Sequence, residues 1–277
     1  MKRIDSHQHY WQLERGDYGW LAPEAGPLYR NYLPGDLQGT LSVCAISGTV
    51  LVQAAPTEAE TLFLFELARR HPSILGVVGW VDFQADRVAN RIAALQAQGG
   101  GLLKGLRPMV QDLPDPAWLS RSSLDPAFDA LIDANLVFEA LVTPLHLGVL
   151  ERRLARHPRL KCVVDHGGKP AISGAGLKEW AAHMKRIAAA GHTFCKLSGL
   201  LTQCTSAATL EALDPYVSRL VEYFGPERIV WGSDWPVLLL RASYYEWLDM
   251  AAELVERHAP GMSDAIFCLN AQRLYSL

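Results

Sequence analysis

Lys2-Arg3-Ile4-Asp5-Ser6-His7-Gln8-His9, a stretch of strand length at the start of the chain, separates two α/β folds by the way it ends. A doubly wound open sheet follows its first strand with a glycine-rich loop that cradles phosphate. Asp5-Ser6-His7-Gln8-His9 has no glycine and carries two imidazoles instead. Working outward, further apolar runs of strand length recur at 48–55, 75–82, 102–107, 136–142, 161–166, 193–198 and 229–233. They are continuously apolar rather than alternating, as parallel strands buried on both faces are. Helical patterns lie between them. Thr57-Glu58-Ala59-Glu60 predicts a capping box that opens a helix running toward His71. Asp125-Pro126 predicts an N-cap followed by proline at the first helical position, and Ser263 a cap for a last helix from 264 to about 275. Leu67-Ala68-Arg69-Arg70-His71-Pro72 and Leu154-Ala155-Arg156-His157-Pro158 repeat one device, a helix end rich in cations followed by a proline stop. Eight strands alternating with helices over 277 residues predict a single (β/α)8 TIM barrel, one α/β domain over 1–277.

Composition narrows the partners. The 49% hydrophobic and 20% charged residues are those of a folded globular chain. A formal net charge of −3 provides no basic field for nucleic acid or an anionic membrane. The longest aliphatic run, Val237-Leu238-Leu239-Leu240, is far short of a membrane span. The first residues turn charged again at once, leaving no apolar signal segment. Cys44, Cys162, Cys195, Cys204 and Cys268 include no C-x-x-C pair and read as core thiols of a cytoplasmic protein. A homo-oligomer is compatible with all of this. Residues 10–41, with Tyr10, Trp11, Tyr18, Trp20, Tyr29 and Tyr32, are expected to form a long aromatic loop after strand one.

Chemistry in a barrel sits at the C-terminal ends of its strands, and that rule sorts the nine histidines. His71, His157 and His258 fall at helix C-termini, where a cation favours the helix dipole. His146, His183 and His192 fall on helices or their ends. His7, His9 and His166 fall at strand ends. His7 and His9, two apart on a strand, point to one side, and Asp5 shares their parity. Two converging imidazoles can hold a divalent cation or bond a substrate carbonyl. Asp234, in Gly232-Ser233-Asp234-Trp235-Pro236 after the eighth run, is brought beside them when the barrel closes, and its carboxylate can accept a proton from water or ligate the same cation. His166, in Asp165-His166-Gly167-Gly168-Lys169-Pro170, can polarise a carbonyl or donate to a leaving oxygen. Around the ring lie Gln53, Asp82, Lys104, Arg107, Glu139, Lys196 and Ser198. Arg107 offers a planar fork to substrate oxygens. A salt bridge from Lys104 or Lys196 to Glu139 is the structural alternative to a role in the site.

These segments, with Tyr18-Gly19-Trp20-Leu21, Val52-Gln53-Ala54, Gly79-Trp80-Val81-Asp82, Gly105-Leu106-Arg107-Pro108 and Lys196-Leu197-Ser198-Gly199-Leu200, spread in order over nearly the whole chain. The sequence resembles the amidohydrolase superfamily in its amidohydrolase-2 branch, closest to the L-fuconolactonase-like sugar lactonases. The resemblance implies a barrel whose core is His7, His9 and Asp234, with His166 as the strand-six histidine. Metal-rich members carry a histidine at the end of strand five; Phe138-Glu139-Ala140-Leu141-Val142 offers Glu139 instead. That departure argues against a binuclear centre. The branch also includes lactonases that work without metal, so the expectation is at most one divalent ion, zinc, on His7, His9 and Asp234, or none.

The resulting expectation is a hydrolase that opens a sugar-acid lactone. Asp234 activates water, and His7, His9 and any bound ion stabilise the oxyanion. His166 or Asp234 returns a proton to the ring oxygen. Arg107 and Gln53 hold substrate oxygens, while Trp11, Trp20 and Trp235 stack on the ring. A metal-dependent decarboxylase and an amide hydrolase are the alternatives within the superfamily, and a barrel that binds without turnover is the non-enzymatic one.

Overall fold

The eight apolar runs form eight strands in a computed structural model that describes residues 2–172, 176–206 and 208–277. They are β1 Arg3–Gln8, β2 Ile46–Val52, β3 Ile74–Gly79, β4 Leu103–Leu106, β5 Val137–Ala140, β6 Cys162–Val164, β7 Thr193–Leu197 and β8 Ile229–Trp231. They pair in chain order, every pair parallel. The ring shuts at its C-terminal rim, where Asp234 N donates to the His7 carbonyl and His9 N to the Trp235 carbonyl, both at 2.8 Å. Helices α1 Pro34–Val43, α2 Glu58–Arg70, α3 Val88–Gly99, α4 Asp125–Asp133, α5 Leu147–Arg156, α6 Leu177–Ala188, α7 Leu210–Phe224 and α8 Tyr244–His258 each follow a strand, completing a (β/α)8 barrel. The last segment, α9 Asn270–Tyr275, is preceded by a π-turn over Ala265–Leu269.

Two layers fill the interior. Ile4, Val50, Val52, Val78, Val137, Val163 and Val230 pack together inside the ring, and Leu274 and Tyr275 of α9 plug them from below. Lys104 is part of this lower end, its Nζ donating to the Ser276 carbonyl at 3.0 Å, away from the strand C-termini. Above the valines the interior turns polar. Among the described residues no helix is long and apolar enough to cross a membrane.

Five local expectations need correcting. On β1, Asp5 pairs with Thr49 and Gln8 with Leu51, a three-residue step against two. This bulge reverses the alternation. Ile4 faces the valines, yet His7 also faces inward, and Asp5 is turned out to accept from Ser233 N and the Tyr244 hydroxyl, each at 2.9 Å. Asp5 therefore does not share a side with the histidines. The segment after β1 is also shorter than 10–41, because α1 begins at Pro34. Gly35, Gly39 and Thr40 mask that helix in the sequence, but proline suits a first turn, and Asp36 accepts from Leu33 N at 2.8 Å. Asp125 is the first residue of α4 rather than its cap. Its carboxylate pairs instead with Arg153 and, at 2.8 Å, with Arg156. Ser263 likewise lies inside the last helical segment and not before it. Thr57 does cap α2, accepting from Glu60 N at 3.0 Å, but the Glu60 carboxylate turns to Ala54 N and Ala55 N.

Candidate active site

Strand-end turns bring four side chains together at the rim. His166 and Asp234 both have positive φ, +54° and +60°, immediately after β6 and β8. Such backbone costs non-glycine residues of order 1–3 kcal/mol and persists where surrounding contacts over-determine it. Here it swings both side chains over the barrel axis. Asp234 Oδ1 lies 3.4 Å from His9 Nε2, 3.7 Å from His7 Nε2 and 3.9 Å from His166 Nε2. His7 Nε2 and His9 Nε2 are 3.2 Å apart. Each imidazole is anchored at its other nitrogen. His9 Nδ1 donates to the Val52 carbonyl at 2.8 Å, and His166 Nδ1 meets Ser198 Oγ at 2.9 Å.

Beneath them is a buried ionic layer that strand-end reasoning did not assemble. Lys196 Nζ lies 2.7 Å from Glu139 Oε2, 3.2 Å from Asp165 Oδ1 and 2.9 Å from His7 Nδ1, so all three ammonium hydrogens have acceptors. Tyr275, from the plug helix, donates to the other Glu139 oxygen. Glu139 thus takes Lys196, not Lys104, as its partner, and occupies the strand-five position without facing the cavity. Arg107 completes the layer. Its Nε donates to Gln53 Oε1 at 2.9 Å, its Nη2 to the Gln53 carbonyl, and its Nη1 lies 3.4 Å from Asp165 Oδ2.

A cavity of about 190 Å³ opens over this floor, lined by His9, His166 and Asp234 together with Arg107 and Trp20. Gln53 is fully buried behind Arg107, so it holds the guanidinium rather than a ligand. Trp20 stands on the wall, its Nε1 tethered to the Ala54 carbonyl at 2.7 Å. Trp11 and Trp235 do not line it. Trp11 is completely buried, donating to the Arg30 carbonyl at 2.8 Å and packing edge-on against Trp20 and Tyr32, and Trp235 is buried against Tyr10 and Tyr32. Both pin the loop after β1 to the rim, which corrects their expected stacking role. Lys169, Gln111, Met109 and Thr202 also line the cavity and were missed. They lie on loops beyond the strand ends, where spacing carries no signal; Lys169, three residues after His166, was within reach of a wider reading.

Burial sets the protonation states. It lowers His166 to about 4 and pushes His7 and His9 below the ordinary imidazole value, with Lys196 adding to the effect on His7 and Arg107 to that on His9. For Asp234 burial pulls upward, but His166, His9 and His7 outweigh it and hold the carboxyl below the usual range. Asp165 is held low in the same way, against burial, by Lys196 and His7. Burial lifts Glu139 to about 7 despite Lys196. Near neutrality the cavity therefore presents one carboxylate ringed by neutral imidazoles.

His7, His9 and Asp234 form a donor set whose atoms lie within 3.2–3.7 Å of one another. Ligands at about 2.0–2.1 Å around a tetrahedral zinc ion stand roughly 3.3 Å apart, so the triangle fits such an ion. The Val52 carbonyl fixes His9 with Nε2 free, while His7, whose Nδ1 accepts from Lys196, carries its hydrogen on Nε2 and would give it up on ligating an ion.

Residues 4–277 match the amidohydrolase family model. The chain is 37% identical to an L-fucono-1,5-lactonase of Burkholderia ambifaria, over 99% of this chain and 96% of that protein. It is also 37% identical to an L-fucono-1,5-lactonase of Burkholderia multivorans, over 93% and 88%. An amidohydrolase crystal structure from Burkholderia multivorans, with bound zinc, superposes over the full length of both chains with a TM-score of 0.93 at 35% identity. The chain belongs to the amidohydrolase family.

Proposed function

We propose that the protein hydrolyses a sugar-acid lactone of the L-fucono-1,5-lactone type to the free acid. One observation carries the reading: a buried carboxylate, Asp234, has its Oδ1 within 3.4–3.9 Å of three imidazoles on the floor of a small cavity. The likeness to two lactonases over nearly the whole chain supports the substrate class.

Asp234 takes a proton from a water molecule as that water attacks the lactone carbonyl. Negative charge grows on the carbonyl oxygen and is met by the Arg107 guanidinium, held in place by Gln53. When the tetrahedral intermediate collapses, the bond between the carbonyl carbon and the ring oxygen breaks. The ring oxygen takes the proton from Asp234. Ser198 Oγ–H donating to His166 Nδ1 places the hydrogen on Nε2, where it steadies that oxygen as it leaves. A divalent ion on His7, His9 and Asp234, zinc by the donor chemistry, would supply Lewis-acid polarisation of the carbonyl.

The test is a panel of aldono-1,4- and 1,5-lactones with a pH indicator to follow acid release above the spontaneous rate. Saturable turnover is expected, falling by about a thousandfold or more in Asp234→Asn. Full activity in that variant rules out Asp234 as the base. Release of carbon dioxide from aromatic acids, or of amine from amides, with inert lactones would transfer the site to another chemistry of the superfamily.

A further inference from the structure

A second cavity, of about 610 Å³, adjoins the catalytic one and shares Trp20, Met109 and Asp112 with it. The catalytic cavity alone, at about 190 Å³, is smaller than the roughly 300 Å³ at which ligand pockets usually begin. The neighbour is lined by Trp80, Phe83 and Trp118 as well as Trp20, with Asp82 and Asp112 on its wall. The indole nitrogens of two of these tryptophans are tied back, that of Trp20 to the Ala54 carbonyl at 2.7 Å and that of Trp118 to Gln84 Oε1. Tethering holds the rings in place with little side-chain entropy left to lose on binding. Asp82 and Asp112 are exposed carboxylates that can accept hydroxyl hydrogens. Asp17, also on this wall, is already paired with Arg15 and Thr57, each at 2.7 Å. Among the described residues the wall carries no lysine or arginine.

We infer that this cavity is a second sugar subsite, and that the protein takes a lactone carrying a neutral glycosyl substituent. Indole faces suit the apolar face of a pyranose, and aspartate oxygens suit hydroxyls while Asp82, in no ion pair among the described residues, repels an acidic group. The contrast with the catalytic floor is direct, since Arg107 and Lys169 line that cavity and suit carbonyl and carboxylate oxygens. The glycosidic bond stays intact; water opens the lactone as before, and the product is a glycosylated aldonic acid. This inference rests on the lactonase reading for the reacting ring, but the subsite itself binds without chemistry.

The decisive experiment therefore measures binding and turnover separately. Calorimetric titration compares a 1,5-anhydroalditol, which has no carbonyl to hydrolyse, with its 4-O-glycosylated counterpart. The glycosylated ligand is expected to bind at least about tenfold more tightly, and Trp80→Ala or Asp82→Ala to remove most of that advantage. Asp82 is exposed, so its variant remains informative where Trp80→Ala fails to fold. Turnover of the simple lactone should persist in both variants, while kcat/KM for the glycosylated lactone falls about tenfold. Equal binding of the two ligands, or an advantage that survives both substitutions, overturns the subsite. Inert lactones alongside a Trp80-dependent binding advantage would overturn the lactonase reading and leave the subsite standing.

Discussion

Lys196 Nζ lies 2.9 Å from His7 Nδ1, and the same ammonium bridges Glu139 and Asp165 at the centre of the barrel. The cavity floor thus rests on a lysine no part of which reaches solvent. Removing one partner from a buried ion pair strands the others, which typically costs about 3–5 kcal/mol. Lys196→Met should lower the urea midpoint accordingly. Adding Glu139→Gln should recover part of the loss, because one stranded carboxylate is gone. A single variant within about 1 kcal/mol of the parent would place the network in the class of weak ion pairs.

The metal triangle makes a separable forecast. Titration of chelator-stripped protein with zinc should show one site. Affinity should fall at least about a hundredfold in His9→Ala and in Asp234→Ala. Glu139→Gln should leave it within a few-fold, because Glu139 is turned to Lys196 and Tyr275. Two equivalents bound, or loss of binding with Glu139, would redraw the ligand set.

Much of this was legible beforehand because barrel geometry converts order into place. His7, His9, His166 and Asp234 could be gathered from three distant segments because each segment ends a strand run. What failed was parity. The bulge between Asp5 and Gln8 turned Asp5 outward, and strands as short as Cys162–Val164 leave too few residues for alternation to show which side chains meet inside. Lys196, Asp165 and Glu139 were visible singly, but their convergence depends on the register of three strands. Trp11 and Trp235 misled for another reason, since an aromatic loop has its own core to fill before it offers a face to a ligand.

Acid should act through His166. Its value in the fold, about 4, lies below the 6.5 of an unperturbed imidazole, so the unfolded chain binds the proton first. Stability therefore falls as pH drops from about 6.5 toward 4 and receives no further change from this group below that. His166→Asn should flatten part of the slope in urea midpoints over that window. In kinetics, kcat/KM should hold down to about pH 4 and then decline as His166 gains a charge, with no limb from Asp234 above it. An acid limb at pH 6–7 that vanishes in His166→Asn would show the imidazole to be far less perturbed.

Arg107 is held by Gln53 through two of its nitrogens, Nε to the side-chain amide oxygen and Nη2 to the backbone carbonyl. Lysine cannot reproduce that fork. Arg107→Lys should lower kcat/KM by about a hundredfold, with more of the loss in kcat than in KM if the guanidinium meets charge that develops in the transition state. Gln53→Leu, which frees the guanidinium without removing it, should cost less. The order reversed would make Gln53 the group that contacts substrate.

Gly199 supplies the sharpest steric test. A Cβ built there would lie 2.3 Å from His166 Nδ1, and the residue has φ +61°. Alanine must therefore push the imidazole off its 2.9 Å contact with Ser198 and away from Asp234. The left-handed backbone adds a cost of about 1–2 kcal/mol for any side chain. Gly199→Ala should fold with a modestly lower midpoint and lose activity by about tenfold or more. Ser198→Ala, which removes the same hydrogen bond without the clash, should lose less. If Gly199→Ala keeps full activity, His166 has no required position, and its assignment to the departing ring oxygen fails with it.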